Sequence, residues 1–173
     1  DGMQVNESNP LLGLDGRAQL INSLADVIKN KADVFNNNSR LGYFYDHVIE
    51  QASENNKTID AAKVLKLVLE TFSEIWPGRV SINNENLGDV WQHSAVKGEG
   101  ITNGLIPFHK LSQWLTYSLL EPLQWQGYQI KGLEMMTGLA EYRNGGLFID
   151  TNVITIKQPN LLTEPQTPDS EAI

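Results

Sequence analysis

Four groups of residues in this 173-residue chain carry side chains that could do chemistry. The first is Gly88-Asp89-Val90-Trp91-Gln92-His93. If helical, Asp89 and His93 stand four apart on one face, a spacing that could ligate a metal with His109 as third ligand. The same residues could equally be caps, Asp89 opening a short helix and His93 closing it. The second group is Pro107-Phe108-His109-Lys110-Leu111-Ser112-Gln113-Trp114. Here Lys110, Gln113 and Tyr117 form a polar row at helical spacing, which could line a pocket or simply face solvent. The third is Gly138-Leu139-Ala140-Glu141-Tyr142-Arg143-Asn144-Gly145-Gly146. In it Glu141 could act as a base or stabilise positive charge, and Arg143 could hold a phosphate or carboxylate. The plainer alternative is a mutual Glu141–Arg143 salt bridge around a turn. The fourth is the set Trp76, Trp91, Trp114 and Trp125. Aromatics beside polar groups suit a stacking pocket, and core packing is the commoner use.

Composition narrows the chemistry. The chain has no cysteine, which excludes disulfides, thiolate metal sites and cysteine nucleophiles. The formal charge of −8 is spread over both halves, with no basic stripe to neutralise a phosphate backbone. No nucleic-acid partner is therefore expected. No apolar run reaches the roughly 20 residues of a membrane span, and no signal peptide opens the chain, so a cytoplasmic protein without a membrane partner is expected. A first residue of Asp1 in place of methionine reads as a processed, tagged or truncated piece. Walker loops, dinucleotide fingerprints, nucleophile elbows and helical zinc-protease pairs are absent from the sequence.

The elements that must position these groups read as mostly helical, with a few short strands. Residues 1–14 form an extended arm, and a helix starts near Asp15, a good N-cap. It buries Leu20, Ile21, Leu24, Val27 and Ile28. After the Asn36–Ser39 loop, a second helix is expected from about Gly42 to Asn55, burying Phe44 and Val48. Thr58 or Asp60 caps a third, whose stripe Ala61, Val64, Leu65, Val68, Leu69, Phe72 and Ile75 is the strongest helical signal. Pro77-Gly78 ends it. Arg79–Ile82 suggests a strand, Leu87–His93 one or two helical turns, and Lys97–Gly104 a flexible loop. Pro107 fits the first position of a long helix, with Leu111, Trp114, Leu115 and Ser118 on its inner face and a kink or stop near Pro122. Tyr128–Ile130 suggests a strand, Gly145-Gly146 a turn, and residues 158–173 a loose proline-containing tail.

Several segments stand together in an order that resembles one family. They are Asn9-Pro10-Leu11-Leu12-Gly13-Leu14-Asp15-Gly16-Arg17, Ile75-Trp76-Pro77-Gly78-Arg79, Leu87-Gly88-Asp89-Val90-Trp91, Pro107 through Leu115, and Gly138 through Leu147. The set is similar to the uracil-catabolism proteins of fungi and bacteria, long filed as a domain of unknown function. The resemblance runs from about Asn9 to Ile154 and corresponds to the C-terminal half of that family's domain. It implies that residues 15–157 are the C-terminal part of a larger helical catalytic domain, with the N-terminal half as a partner. It also implies a place in non-reductive uracil breakdown, where a ribosylurea-type intermediate must lose its sugar. Phe108–Gln113 and Glu141–Arg143, with Leu147 and Val153, also resemble segments of the queuosine-salvage N-glycohydrolases. Those enzymes have a DNA-glycosylase-like helical fold and carry aspartate where this chain has Glu141.

What these resemblances imply is an enzyme that hydrolyses an N-glycosidic bond in a small-molecule substrate, a ribosylated urea or pyrimidine derivative. Such a site needs a carboxylate near the electron-poor sugar carbon and donors for the departing nitrogen. Glu141 is the expected carboxylate, with Asp89 or Asp150 a second. Lys110 and Arg143 would hold a phosphate or sugar hydroxyls. His109 and Gln113 would contact the leaving group, Trp91 would close one wall, and Tyr142 lies beside them. No metal or organic cofactor is required. Two alternatives remain. One is a metal-dependent amide or ring hydrolase built on Asp89, His93 and His109. The other is a non-catalytic partner protein, which would show a broad apolar patch.

Overall fold

The computed structural model describes residues 4–50, 57–139, 141–167 and 170–173. It is mainly helical: α1 (Leu14–Asn30), α2 (Ala32–Phe35), α3 (Tyr43–Glu50), α4 (Ala61–Phe72), α5 (Lys110–Trp125) and α6 (Tyr142–Asp150). Short strands join them: β1 (Thr58–Asp60), β2 (Ser81–Ile82), β3 (Glu85–Asn86), β4 (Val90–Gln92), β5 (Leu105–Pro107) and β6 (Gln129–Lys131). The strands form three two-stranded pairs. β2–β3 and β4–β5 are antiparallel, and β1–β6 is parallel with Ile59 opposite Ile130.

The core grows around α4, as its apolar stripe predicts. Ala61, Val64, Val68 and Phe72 are buried, joined by Val27 of α1, Phe35 of α2, Phe44 and Val48 of α3, and Leu120 and Leu123 of α5. Phe35, Phe44 and Phe72 meet as a ring cluster with centroids 5.0–6.5 Å apart, the range in which aromatic edges and faces attract. Asp60 starts α4: its Oδ1 accepts from the backbone N–H of Ala62 (2.9 Å) and Lys63 (3.4 Å). That satisfies two of the donors a helix start leaves open. Asp60 also ends β1, so one residue aligns the parallel strand pair with the central helix.

Several expectations are corrected. α1 begins one residue earlier, with Gly13 left-handed (φ 70°) ahead of Leu14, so Asp15 sits inside the first turn. There its charge complements the helix dipole and does not cap. Ile21 is exposed, unlike the rest of its stripe. The second helix is seen to Glu50, and its expected extension to Asn55 lies outside the described residues. α4 ends at Phe72, where a short 3₁₀ turn (Ser73–Ile75) carries the chain toward Pro77. β2 and β3 are closed by Asn83 and Asn84, both at positive φ (52° and 66°), the backbone a tight primed hairpin turn demands. Leu87–His93 is not helical: Val90–Gln92 is strand β4, paired with Leu105–Pro107. Pro107 accordingly ends a strand and does not open α5. The fold preference of this stretch is decided by a partner strand some fifteen residues away, which local periodicity cannot register. Gly145 and Gly146 lie within α6 and form no turn. The tail after Gln158 makes a 3₁₀ turn (Pro159–Leu162), and Glu171 accepts from the N–H and Oγ of Ser94 (2.8 and 2.9 Å).

The largest correction concerns α5. Its predicted inner residues face outward: Leu111 is 49 %, Trp114 60 % and Leu115 37 % exposed. Its buried residues are Ser112, Gln113, Thr116, Leu120 and Leu123. Thr116 satisfies its hydroxyl on the Ser112 carbonyl (2.9 Å) within the same helix, so burying it leaves no donor orphaned.

The capping geometry generates a test. Asp60→Ala should cost about 1 kcal/mol of stability, read as a lower urea midpoint, whereas Asp60→Asn, which keeps an accepting oxygen, should lose much less. Equal losses for the two would contradict the cap.

Candidate functional site

Asp89 stands where β4 begins, and four donors converge on it. Its backbone carbonyl accepts from the N–H of Phe108 and of His109 (both 3.1 Å). Its Oδ2 accepts from the N–H of Lys110 (2.9 Å), the first residue of α5, and its Oδ1 from the indole Nε1 of Trp91 (2.7 Å). α5 has no cap of its own, since His109 at the N-cap position makes no side-chain cap bond. A carboxylate 21 positions earlier in sequence performs that task, placing negative charge at the positive end of the helix. Hydrogen bonds to charged groups are each worth about 1.5–3 kcal/mol. Asp89 is therefore the device that joins the β4–β5 hairpin to α5.

The geometry has a cost at His109. Its backbone is left-handed (φ 46°, ψ 39°), a conformation disfavoured for side chains with a Cβ. The strain is held by bonds on both sides of it, from Asp89 before and through His109 O to Gln113 N–H (2.9 Å) after. The imidazole Nδ1 is buried and meets no hydrogen-bond partner among the described residues. Desolvation lowers the His109 pKa from its ordinary 6.5, and the nearby Asp89 charge, which raises it, does not offset that. The ring is thus neutral at physiological pH, with an accepting or donating nitrogen unused by the protein.

The polar row of α5 does face inward, but it is spent on structure. Gln113, only 8 % exposed, donates from Nε2 to the Phe108 carbonyl (3.1 Å) and accepts at Oε1 from Thr137 Oγ1 (2.8 Å). Tyr117 donates to the Thr137 carbonyl (2.7 Å). Through Gln113 and Tyr117 the row clamps the segment that leads to Glu141. Lys110 is half-buried at the head of the same helix. On the other flank, the Arg79 guanidinium lies 3.9 Å over the Trp91 ring, a cation–π contact. Arg79 and Thr137 receive no role from sequence reasoning. Arg79 has a trace in the Trp76–Arg79 segment, and Thr137 has none.

Five of the expected residues therefore belong to one contact network: Asp89, Trp91, His109, Lys110 and Gln113. The other four lie on or beside α6. Glu141 is exposed immediately before it, Tyr142 and Arg143 are its first two residues, and Asp150 is its last and exposed. The segment 138–146 is thus largely helix and not a glycine turn. Glu141 lies four positions after the anchored Thr137, so their Cα atoms lie within about 14 Å of each other.

The structure does not gather Asp89, His93 and His109 into one ligand set. With β4 extended, Asp89 and His93 no longer share a helical face, and His93 Nδ1 accepts from the Ala95 N–H (3.0 Å). Among the described residues, no group of three or more His, Asp or Glu is placed to hold a metal ion. The four tryptophans do not converge either. Trp91 belongs to the Asp89 network, and Trp76 and Trp114 line an apolar groove. Trp125 lines a separate cavity of about 410 Å³ with Tyr45 and Tyr128. No described helix is long and apolar enough to cross a membrane.

Fold and site together describe a mainly helical protein with a carboxylate-anchored polar network at a helix head. The chain belongs to the family described as "Protein of unknown function (DUF1688)", whose model matches residues 1–172. It is 40 % identical over 164 residues to "Uracil catabolism protein 4" of Lachancea kluyveri, a match covering 90 % of this chain and 37 % of that protein. It is 39 % identical over 164 residues to "Protein urg3" of Schizosaccharomyces pombe, covering 90 % of this chain and 36 % of that protein. The chain thus spans little more than a third of the length of these curated relatives. No solved structure matches it. The family resemblance read from the sequence segments is the one found.

His109 gives this site a pH signature. A folded-state pKa below the unfolded value means the unfolded chain binds the proton more readily. The contribution of neutral His109 is fully present above about pH 6.5 and is lost as pH falls through the lower folded value. Stability measured by urea denaturation should therefore fall between neutral and mildly acidic pH, and His109→Gln should remove that part of the slope. Asp89→Asn, which removes the charge that opposes the shift, should lower the His109 titration midpoint further in proton NMR. A midpoint that rises in Asp89→Asn would contradict the electrostatic contact.

Proposed function

We propose that this chain takes part in uracil catabolism and contributes to the hydrolysis of the N-glycosidic bond of a ribosylurea-like intermediate. The pathway is supported by the name of the L. kluyveri relative, a uracil catabolism protein. The observation that carries the hydrolytic reading is His109: a left-handed backbone carrying a neutral, half-buried imidazole with one nitrogen unused by the described residues. Strain of this kind is retained where surrounding structure over-determines it, and such places cluster at functional sites.

In this reading the C1′–N bond of the ribosyl group breaks as positive charge builds on C1′. Water adds its oxygen to C1′ and its remaining proton ends on the departing nitrogen, giving free ribose and urea. Glu141, exposed at the head of α6, orients the water and takes up its proton. His109 contacts the urea, whose amide groups can both donate and accept. Lys110 and Arg143 bind the sugar hydroxyls or a phosphate on them. Trp91 flanks the sugar, with Tyr142 and Asp150 on the α6 side. Asp89 and Gln113, whose side-chain polar atoms are engaged in the network, act as positioning residues for the head of α5.

A non-catalytic partner protein is the second reading, and the apolar groove on α5 is the feature that favours it. Ribose release from ribosylurea by the purified full-length polypeptide, with no other protein present, separates the two. Under the hydrolytic reading, Glu141→Gln in that polypeptide should lower kcat by about 10²–10⁴-fold with KM little changed. Undiminished turnover by a folded Glu141→Gln protein removes Glu141 from the mechanism.

A further inference from the structure

The outer face of α5 presents a chemistry that a surface helix does not have. Only Lys110 and Glu121 are charged in its sixteen residues. The face opposite the buried Ser112, Gln113 and Thr116 carries Leu111, Trp114, Leu115 and Ser118, at i, i+3, i+4 and i+7. This row floors a groove of about 680 Å³ walled by Leu24, Leu41, Phe44, Phe72, Ile75 and Trp76, with almost no polar lining. A helix with satisfied polar groups on one side and large apolar side chains on the other is patterned for burial on both. Left open, the groove is the kind of contiguous apolar patch that marks an interaction surface.

We propose that in the polypeptide as its cell makes it, this groove is filled by an amphipathic helix from the portion that the longer relatives carry beyond the matched stretch. The match occupies 37 % and 36 % of those two proteins, so most of their length lies outside it and is free to supply such an element. The i, i+3, i+4, i+7 row of α5 is a ridge of the form that takes a second helix between its side chains. A second copy of this chain is the less suitable occupant, because each copy brings a formal charge of −8 to the contact. This inference stands apart from the hydrolytic reading and concerns a different face of α5.

The test uses a thiol placed in the groove. Ser118→Cys is made in the polypeptide as the cell produces it, and maleimide labelling at position 118 is followed by peptide mass spectrometry. Ser118 is exposed and small, so the change is mild, and Leu115→Cys provides a second probe of the same face. Labelling at either position should be at least about tenfold slower in the native protein than in urea, at every protein concentration. Native labelling as fast as in urea overturns the proposal. Protection that disappears on dilution assigns the groove to a second copy and overturns it as well.

Discussion

A single carboxylate decides how the β4–β5 hairpin meets α5. Asp89 binds the indole of Trp91 on its own strand and the first N–H of α5, while its carbonyl holds the two residues before that helix. A helix entered through three fixed N–H groups has its rotation set before any side chain packs. The rest follows from that rotation. Gln113 and Tyr117 turn inward and hold Thr137, four positions before Glu141. Leu111, Trp114 and Leu115 turn outward into the groove. His109 is forced left-handed at the junction, with its ring half-buried and its Nδ1 closed off from water. Removing one partner from such a network leaves several donors without acceptors at once, which is why it behaves as a unit.

Where the local pattern agreed with the tertiary environment, the sequence could be read. The stripe of α4 is apolar on one face and polar on the other, and that face is the core. Asp60 is the cap its position suggests, and Phe44 and Val48 are buried as their spacing predicts. The pattern of α5 points the wrong way because the row carrying Leu111, Trp114 and Leu115 is not the row that is buried. A helix with a polar buried face and an apolar exposed one offers periodicity no basis for choosing which face meets α4. The Leu87–His93 segment reads locally as helical turns, while its strand character comes from pairing with Leu105–Pro107. The same pairing places Pro107 at a strand end, although proline is equally at home at a helix start. The Gly145-Gly146 pair reads as a turn by composition and is helical in the fold.

The candidate site was legible in part for a related reason. Residue types such as Asp89, His109 and Lys110 could be singled out from the sequence, and the structure gathers them at one helix head. Their roles could not be assigned, since a carboxylate that caps a distant helix and one that meets a substrate are the same residue type. The distinction lies in how many of its lone pairs the protein already uses. By that measure Asp89 is a structural anchor, Gln113 a clamp, and His109 the group with capacity to spare. The fold thus holds a polar head and an apolar flank on one helix, both fixed by one contact from β4.

The most direct measurement of the central claim is nitrogen-15 NMR of the His109 imidazole in the full-length polypeptide, titrated with ribosylurea at neutral pH. A neutral ring should give widely separated nitrogen resonances in the free protein, and saturable addition of ligand should shift the ring nitrogen resonances. An imidazole already doubly protonated at neutral pH, or one whose resonances are unaffected by a ligand shown to bind elsewhere, would contradict the assignment of the α5 head as the place where substrate is met.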